Sequence, residues 1–312
     1  MMPLCSISVD LDPIWCYASI HGIDSNLGPD AVYDSALDRL LELFGEFGVH
    51  ATFFVVGQDA KVERRAEKLV KAAQLGHEIA NHSLNHRYDL AKQPFEVLRA
   101  EIDGAHQAIL DHCGLTCVGY RAPGYNVDPR VLEIIAGLGY TYDSSIFPCP
   151  PYYLAKATVM ALIRLRGKKS GSSMVDARTL LAPLKPYTPR MDAVHRRSRD
   201  SKSNLLELPM CVLPISRFPL IGTSLLMAKG TLSSLMIKVS ALYHREFINI
   251  ELHGIDLVDP IHDEIPNSLR ERQPDLKISL DSKLETFRTV LSTLSKTHQF
   301  VSCRDATSQL SR

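Results

Sequence analysis

The 312-residue sequence lacks several features that would assign it to a class of protein at once. Basic and acidic residues are equal in number, 35 of each, so its net charge does not favour nucleic acid as a partner. The seven cysteines are scattered and form no CxxC pair, which is more typical of a reducing compartment than of a disulfide framework. No run reaches the ~18 uninterrupted apolar residues of a membrane span. The first residues, "MMPLCSISVDLDP", contain neither the basic nor the long apolar segment of a signal peptide. We therefore expect a cytoplasmic protein that is soluble or peripheral on the inner membrane face.

The sequence does have a regular alternation of short apolar segments with longer amphipathic ones. The predicted strands are 4–10, 50–56, 77–81, 117–123, 140–145, 204–210, 247–253 and 299–303, and the predicted helices are 30–48, 60–76 and 94–114. Such alternation predicts parallel strands in an α/β fold, and a (β/α) barrel in particular. The length suits one domain over 1–312 with an insertion. Functional groups of such barrels lie at the C-terminal ends of the strands.

The segment 150–204 interrupts this alternation and is strongly basic. It has twelve Lys or Arg residues and three Asp, a net charge of +9, so the rest of the chain carries −9. Its first part, "YYLAKATVMALIRLRGKK", is apolar and then basic. One interpretation is a solvated surface loop. The other is a surface that contacts an anionic membrane or the phosphate of a polyprenyl-linked sugar. No nucleic-acid-binding module is recognisable around it, so we expect no nucleic-acid partner.

Two aspartates stand at the end of the first predicted strand, in "SVDLDP". Asp10 and Asp12 are two residues apart, and side chains alternate across a strand, so both carboxylates should point the same way. Two neighbouring carboxylates are costly to leave unpaired. They are therefore either strand-end caps and turn formers, or one metal ligand and one base.

Two histidines follow the third predicted strand, in "NHSLNH". On a helical turn, residues four apart share a face, so we expect His82 and His86 to converge on one ion. Such a pair taken alone is more often solvated. Here an acidic pair ends the first strand at the matching edge, and an aspartate with two imidazoles leaves coordination positions open. That is the ligand pattern of a catalytic divalent metal site, with zinc as the expected ion.

Two more segments end predicted strands at the same edge. Arg121 in "YRAPGYN" precedes a Pro123–Gly124 turn whose backbone N–H groups could face a developing oxyanion. The alternative is a structural turn beside a surface arginine. His253 in "IELHGID" could act as a general acid near neutral pH, or could be a buried histidine with its hydrogen bonds satisfied.

Taken together, these segments resemble the polysaccharide deacetylase family. "SVDLDP", "NHSLNH", "YRAPGY", "YDSS" and "ELHG" occur in the order and approximate spacing of that family, over about 5–150 and 204–303. Its members are metal-dependent amidohydrolases that remove N-acyl groups from amino sugars on a distorted (β/α) barrel. The resemblance implies a set of roles: metal ligands Asp12, His82 and His86, general base Asp10, its orienting partner Arg121, and general acid His253.

The sequence departs from the common family pattern in three places. Leu11 separates two aspartates that are usually adjacent, a spacing similar to that of intracellular branches such as the deformylase of lipid-linked aminoarabinose. It leaves open which aspartate binds the metal. Gly124 stands where many members have tyrosine, so a backbone N–H near Gly124 should face the oxyanion and Tyr125 should supply the aromatic contact. Many members also have an Asp-Trp pair that tunes the acid histidine. No Asp-Trp occurs here, and Asp143 or Glu207 is the expected substitute.

The resemblance predicts hydrolysis of an N-acetyl or N-formyl amide on an amino sugar or glycan, free or linked to polyprenyl phosphate. A second hypothesis is a catalytically silent glycan- or lipid-binding module on the same fold, which would be missing the base or the acid. A third is an amidohydrolase acting on a small cyclic amide, which predicts a compact polar mouth rather than a large basic insertion. The sequence leaves the sugar, the acyl group, the metal and the oligomeric state open.

Overall fold

The centre of the protein is a curled parallel β-sheet. The computed structural model describes residues 2–23, 30–165, 167, 173–199 and 204–311. Numbered along the chain, the described strands are β1 Leu4–Leu11, β2 Thr52–Val55, β3 Glu78–Asn81, β4 Gly119–Tyr120, β5 Tyr142–Asp143, β6 Pro189–Arg190, β7 Ala193–Arg197, β8 Leu206–Glu207, β9 Phe247–His253 and β10 Gln299–Phe300. The sheet order is β10, β1, β2, β3, β4, β5, β8, and β9 also pairs with β1. Strands β6 and β7 form a separate antiparallel hairpin.

The two ends of the sheet approach each other, which gives it the curvature of a barrel. Cys211, shortly after β8, donates its N–H to the carbonyl of Asn249 in β9 at 2.8 Å. Strand β1 is buried along its whole length, as expected for a parallel strand covered on both faces. The predicted α/β barrel is confirmed.

Helices surround the sheet. The described α-helices are α1 Ile14–Ile20, α2 Leu37–Phe47, α3 Gly57–Ala60, α4 Glu63–Gln74, α5 Phe95–Cys113, α6 Pro129–Gly137, α7 Pro150–Leu165, α8 Gly222–Tyr243, α9 Asn267–Arg270, α10 Leu280–Ser295 and α11 Cys303–Leu310. The predicted helix 94–114 corresponds to α5. The predicted helix 30–48 begins instead as a π-helical turn, Val32–Ala36, before α2 continues it to a left-handed Gly48 with φ of 62°.

Several strands are much shorter than predicted. Only two residues of the predicted strand 117–123 pair in the sheet, as β4, and the same holds for β5, β8 and β10. Residues just beyond these strands still bond to the neighbouring backbone: Arg121 N donates to Asn81 O at 3.0 Å, and Ser144 N donates to Tyr120 O at 2.9 Å. At these strand ends the chain leaves the regular sheet and begins to form the site. The first residue after each strand is still hydrogen-bonded to the neighbouring strand.

The basic segment 150–204 lies between two neighbouring strands of the sheet, β5 and β8. It forms α7, a 3-10 helix over Ala177–Leu181 and the β6–β7 hairpin. Two of its basic residues pair locally with its own acids, Arg178 with Asp176 and Arg190 with Asp192. The description of 1–312 as one domain stays a prediction.

One described helix, α8, is long and apolar enough to cross a membrane, by length and composition only. Polar residues interrupt it, so it is not one of the uninterrupted apolar runs that mark a span in the sequence. A third of its most apolar stretch of 18 residues is buried, and its inner face, which includes Met236 and Ile237, belongs to the hydrophobic core. Core helices of soluble proteins have the same composition, so α8 is weak evidence for a span. Lys229, with φ of 57°, breaks the helical geometry within α8.

Candidate active site

The two histidines of "NHSLNH" lie on a loop, so the predicted helical turn is wrong. The loop leaves β3 at His82, and Ser83 and His86 both adopt positive φ, 62° and 49°. Side chains from the end of β3 and from α5 hold it: Ser83 N donates to Asn81 Oδ1 at 2.8 Å, and Asn85 N donates to Glu101 Oε2 at 2.9 Å. The loop brings the two imidazole centroids to 4.9 Å, the convergence that the helix was expected to provide.

Asp12 meets both imidazoles. Its Oδ1 lies 3.3 Å from Nε2 of His82 and 3.0 Å from Nε2 of His86, and all three side chains are buried. Neither Asp12 Oδ1 nor either nitrogen of His86 has a partner with hydrogen-bond geometry. Two ligands of one ion at ~2.1 Å and a tetrahedral angle lie about 3.4 Å apart. These separations and the missing hydrogen bonds fit three atoms that share a cation.

The tautomer of His82 also suits a metal ligand. Its Nδ1 lies 2.8 Å from the carbonyl oxygen of Arg121, which can only accept, so Nδ1 carries the proton and Nε2 presents a lone pair towards Asp12. Burial alone would raise the pKa of Asp12, but in the absence of an ion the protonated imidazoles of His86 and His82 lower it well below its usual value. The carboxylate therefore stays ionised, as a ligand must.

Asp10 is held on the other side by Arg121. The guanidinium is completely buried and donates to Asp10 Oδ1 at 2.6 Å, to Ser8 Oγ at 2.8 Å and to Ser144 Oγ at 2.9 Å. It also lies over the ring of Phe54, 4.1 Å from the centroid. The other oxygen of Asp10, Oδ2, lies 3.7 Å from His82 Nε2 and faces the metal site. The surface-arginine interpretation of Arg121 is wrong.

Glu251 is a member of the site that the sequence analysis missed. It lies two residues before His253 on β9, so the two side chains share a face of the strand, and a carboxylate in a mostly apolar strand was the available signal. Tyr125 donates its hydroxyl to Glu251 Oε1 at 2.9 Å. Burial and the neighbouring Asp10 raise the pKa of Glu251 to about 7. Ligand atoms of Asp10, Glu251 and His253 lie within 4.8 Å of one another.

His253 is tuned by residues other than the two that were expected. Burial by itself would lower the pKa of its imidazole, but the carboxylates of Glu251, Asp10, Asp12 and Asp256 raise it to about 9. Asp256 also accepts the backbone N–H of His253 at 2.8 Å.

Asp143 and Glu207 form a separate pair, and the expectation that one of them tunes His253 is wrong. Ser145 donates its hydroxyl to Asp143 at 2.5 Å, and Ile146 N donates to Glu207 at 3.0 Å. Burial raises the pKa of Asp143 to about 6 and that of Glu207 well above its usual value. Ser145 in turn accepts the N–H of Ala122 at 2.8 Å, so this pair supports the turn after Arg121.

The turn after Arg121 requires glycine at position 124. Gly124 has φ of 60°, and a Cβ there would lie 2.7 Å from Cδ1 of Tyr88. Tyr125 N donates to Ala122 O at 2.9 Å, which commits that N–H to the turn. Gly124 therefore remains the residue whose N–H is predicted to face an oxyanion.

These groups surround one cavity of about 200 Å³. Its lining includes Asp10, Asp12, His82, His253, Gly124 and Tyr125, together with Tyr88, Tyr152, Lys156, Thr223 and Gln273. A larger groove of about 1040 Å³ lies between α8 and α10, but it contains none of the predicted site residues. Since the chemistry needs the converging acids and histidines, the smaller cavity is the candidate active site.

Comparison with known proteins agrees with this geometry. Residues 27–142 match the family model for polysaccharide deacetylases. Over 123 residues the chain is 33% identical to chitin deacetylase 1 of Cryptococcus neoformans, which covers 39% of this chain and 25% of that protein. Over 113 residues it is 26% identical to a peptidoglycan N-acetylglucosamine deacetylase of Bacillus cereus, which covers 36% of this chain and 50% of that protein. The chain thus spans between a quarter and a half of the length of these curated relatives.

The fold comparison covers nearly the whole chain. A crystal structure from Mycobacterium smegmatis, of a protein provisionally classed as a polysaccharide deacetylase, superposes with a TM-score of 0.60 at 16% identity over 99% of this chain and 91% of that one. At that identity the likeness concerns the fold alone. With the family match over residues 27–142 and the curated relatives, it confirms the resemblance to the polysaccharide deacetylase family.

Proposed function

We propose that the protein is a metal-dependent hydrolase that removes an N-acyl group from an amino sugar. The observation that carries the proposal is the meeting of two sets of residues in one cavity. Asp12, His82 and His86 form a buried cation site, while Asp10 and His253, a base and an acid, lie beside it. A silent binding module would not need both proton-transfer groups, and both are present.

The cation site suits a divalent metal, and we propose zinc. Two imidazole nitrogens and one carboxylate oxygen are ligands that zinc accepts while leaving a position open for catalysis, although cobalt, nickel and iron bind similar sets. Such an ion would polarise the amide carbonyl and lower the pKa of the attacking water.

The residues of this chain would handle the protons. Arg121 holds Oδ1 of Asp10, so Oδ2 is the oxygen available to take a proton from the attacking water. Glu251 and the other carboxylates keep His253 protonated near neutral pH, so its imidazole can protonate the departing amine. The backbone N–H of Gly124 would stabilise the developing oxyanion. Buried Arg121 acts on Asp10 and is a positioning residue.

The finer substrate assignment is an acetyl or formyl group on an amino sugar linked to polyprenyl phosphate at the inner membrane face. Two features support it. All seven cysteines lie among the described residues as buried free thiols, as is usual in a reducing compartment. Helix α7, in the basic segment, exposes apolar side chains: Leu154, Val159, Leu162 and Leu165 are 65%, 49%, 49% and 83% exposed. An apolar helix face followed by basic residues suits the surface of an anionic membrane.

Co-sedimentation with liposomes tests the membrane contact. Arg164, Arg166, Lys168 and Lys169 would be replaced together by glutamine; the last three lie outside the described residues. The wild type should sediment with anionic liposomes at low salt and less at high salt, since each basic residue contributes ~1 kcal/mol near an anionic leaflet. If the wild type does not sediment with anionic liposomes at low salt, a soluble substrate becomes the better proposal. Arg178→Gln, which removes a locally paired arginine, is the matched control.

A mass-spectrometric screen tests the activity itself. The purified protein, with its metal content measured, would be incubated with N-acetyl and N-formyl amino sugars, both free and polyprenyl-linked. Loss of acetyl or formyl mass from one class identifies the substrate, and Asp10→Asn serves as the inactive control. A small cyclic amide such as allantoin belongs in the same screen. Loss of mass from no sugar by a metal-loaded protein would overturn the proposal.

A further inference from the structure

Helix α7 departs from the usual arrangement of polar and apolar residues on a surface helix. A surface helix normally buries its apolar residues and exposes its charges. In α7 the leucines at 154, 162 and 165 are exposed, while Lys156 turns inward and is partly buried. Its side chain lines the cavity that contains Asp10, Asp12 and His253. Placing a lysine on the buried side of a helix is costly unless its ammonium group meets a partner.

The start of α7 is fixed against the catalytic residues, which determines where Lys156 lies. Tyr152, one turn before Lys156, packs against Tyr125 and Phe147 with ring centroids 5.8 Å and 5.1 Å apart. Tyr125 in turn donates its hydroxyl to Glu251. Residues four apart share a helix face, so this packing carries Lys156 to the same cavity wall as Tyr152.

Lys156 has no ion-pair partner within the described part of the chain. The carboxylates that line the cavity each interact with other groups: Asp10 with Arg121, Asp12 with the two imidazoles, and Asp275 with Gln273, whose amide donates to it at 2.6 Å. Burial lowers the pKa of the Lys283 ammonium, and Asp275 is one of the nearby carboxylates that oppose this effect. Among the described residues that line this cavity, Lys156 therefore carries a charge that no side chain of opposite charge pairs with.

The Lys156 amine still carries its charge near neutral pH. Burial lowers its pKa to about 8, and at pH 7 an amine with that pKa is mostly protonated. An ammonium group that is partly desolvated binds an oxyanion more strongly than one in bulk water, because the local dielectric is lower.

We propose that Lys156 is a specificity-determining residue that binds a phosphate group carried by the amino-sugar substrate. This proposal rests on the proposed function and deepens it, since it names the side chain in the cavity that would bind a phosphate on that substrate. It also gives the basic segment two roles: the exposed face of α7 would contact the membrane, and Lys156 would bind the substrate.

Binding of the deacylated product tests the proposal without turnover. Glucosamine and glucosamine 1-phosphate would be titrated into the metal-loaded wild type and followed by protein NMR or calorimetry. The wild type should bind the phosphorylated sugar about tenfold or more tightly, the range expected for a charge-assisted contact. Lys156→Gln should remove that preference, and Lys156→Arg should keep most of it. Lys296→Gln, which removes an exposed lysine directly after α10 and away from the cavity, should leave the preference unchanged.

Two further ligands distinguish the sources of the phosphate. Inorganic phosphate and a short-chain anionic phospholipid would be titrated in parallel. Lys156-dependent binding of the phospholipid, without any preference for the phosphorylated sugar, would overturn the substrate assignment. Equal binding of the two sugars by the wild type, no binding of either, or a preference that survives Lys156→Gln would also overturn it.

Failure of this proposal can be told apart from failure of the proposed function. If the wild type removes N-acyl groups but binds both sugars equally, Lys156 has no role in specificity and the hydrolase proposal stands. If phosphate binding depends on Lys156 but no N-acyl sugar is hydrolysed, Lys156 binds phosphate and the hydrolase proposal fails.

Discussion

Arg121 donates a 2.6 Å hydrogen bond from Nη1 to Oδ1 of Asp10, and both side chains are buried. One guanidinium thereby joins β1 to the end of β4 and fixes the oxygen of the proposed base. Its further bonds to Ser8 and Ser144 are donated by Nε and Nη2. A planar, forked cation is required to reach all of these acceptors at once.

Arg121→Lys should therefore destabilise the protein as well as lower activity. The substitution keeps the charge but cannot make the same set of bonds, and buried acceptors would be left unpaired. We expect a loss of about 2–4 kcal/mol in the free energy of unfolding, measured by urea denaturation. Arg288→Lys is the control, because Arg288 pairs with Glu46 at the surface and should change unfolding little. Equal effects of both substitutions would contradict the central role of Arg121.

Replacing His82 and His86 together by alanine should abolish metal binding. The wild type should carry about one divalent ion per chain, and the double variant should carry none, because only Asp12 of the three converging ligands remains. Elemental analysis after gel filtration measures this directly, and hydrolysis should be lost in parallel. A double variant that keeps its metal would show that the cation site is elsewhere. His112→Ala, an exposed histidine at the end of α5, is the matched control.

Asp10→Asn should separate proton transfer from metal binding. Asp10 Oδ1 is held by Arg121 and Asp12 Oδ1 faces both imidazoles, so the variant should keep its metal. Activity should fall by ~10²–10⁴-fold, the usual contribution of a positioned base. His253→Ala should behave likewise. If instead Asp10→Asn loses its metal while Asp12→Asn keeps it, the two aspartates have the opposite roles.

Glu251→Gln should lower the pKa of His253. Among the groups that raise this pKa to about 9 against the effect of burial, Glu251 contributes most. Removing its negative charge should shift the His253 titration to lower pH, which NMR of the metal-free protein can follow. On the alkaline side of the pH profile, the decline in hydrolysis rate should then begin at a lower pH, because His253 loses its proton at a lower pH. An unchanged His253 titration would contradict this assignment. Glu246→Gln, at an exposed position just before β9, is the control.

His77 should make the protein less stable in mild acid. Ala51 N donates to Nδ1 of His77 at 3.0 Å, so the folded state holds a neutral imidazole. Burial, and then the nearby His50, lower its pKa to about 4, whereas an unfolded histidine titrates near ~6.5. Between these values the unfolded chain binds the proton and the folded one does not. The free energy of unfolding should therefore fall, by about 1–3 kcal/mol, as pH drops from ~6.5 to ~4.

His77→Asn isolates this effect. Its side-chain oxygen can accept the Ala51 N–H in place of Nδ1, but it cannot bind a proton in this range. Chemical denaturation at several pH values should give a flatter profile for the variant than for the wild type. Two parallel profiles would show that His77 does not titrate differently in the folded and unfolded states.

The alternation of apolar and amphipathic segments was enough to predict the α/β barrel and the edge of the sheet where the site lies. The spacing of apolar residues shows which residues must be buried, and that spacing can be read from the sequence itself. For the same reason Asp10 and Asp12, two residues apart on one strand, could be expected on the same side. The order and spacing of the five motifs then pointed to a resemblance to the family, which the comparison with known proteins confirmed over residues 27–142.

Only the tertiary structure decided how the site is assembled. His82 and His86 converge through a loop with two left-handed residues rather than through a helical turn, since Asn81, Ser83 and Glu101 satisfy its backbone. Contacts between distant segments are not visible in a sequence. Glu251 and Asp256, rather than Asp143 or Glu207, therefore surround His253, and the inward turn of Lys156 depends on how Tyr152 packs against Tyr125. Side-chain spacing within an element is set by its period, but the pairing of elements is set by the packing of the whole chain.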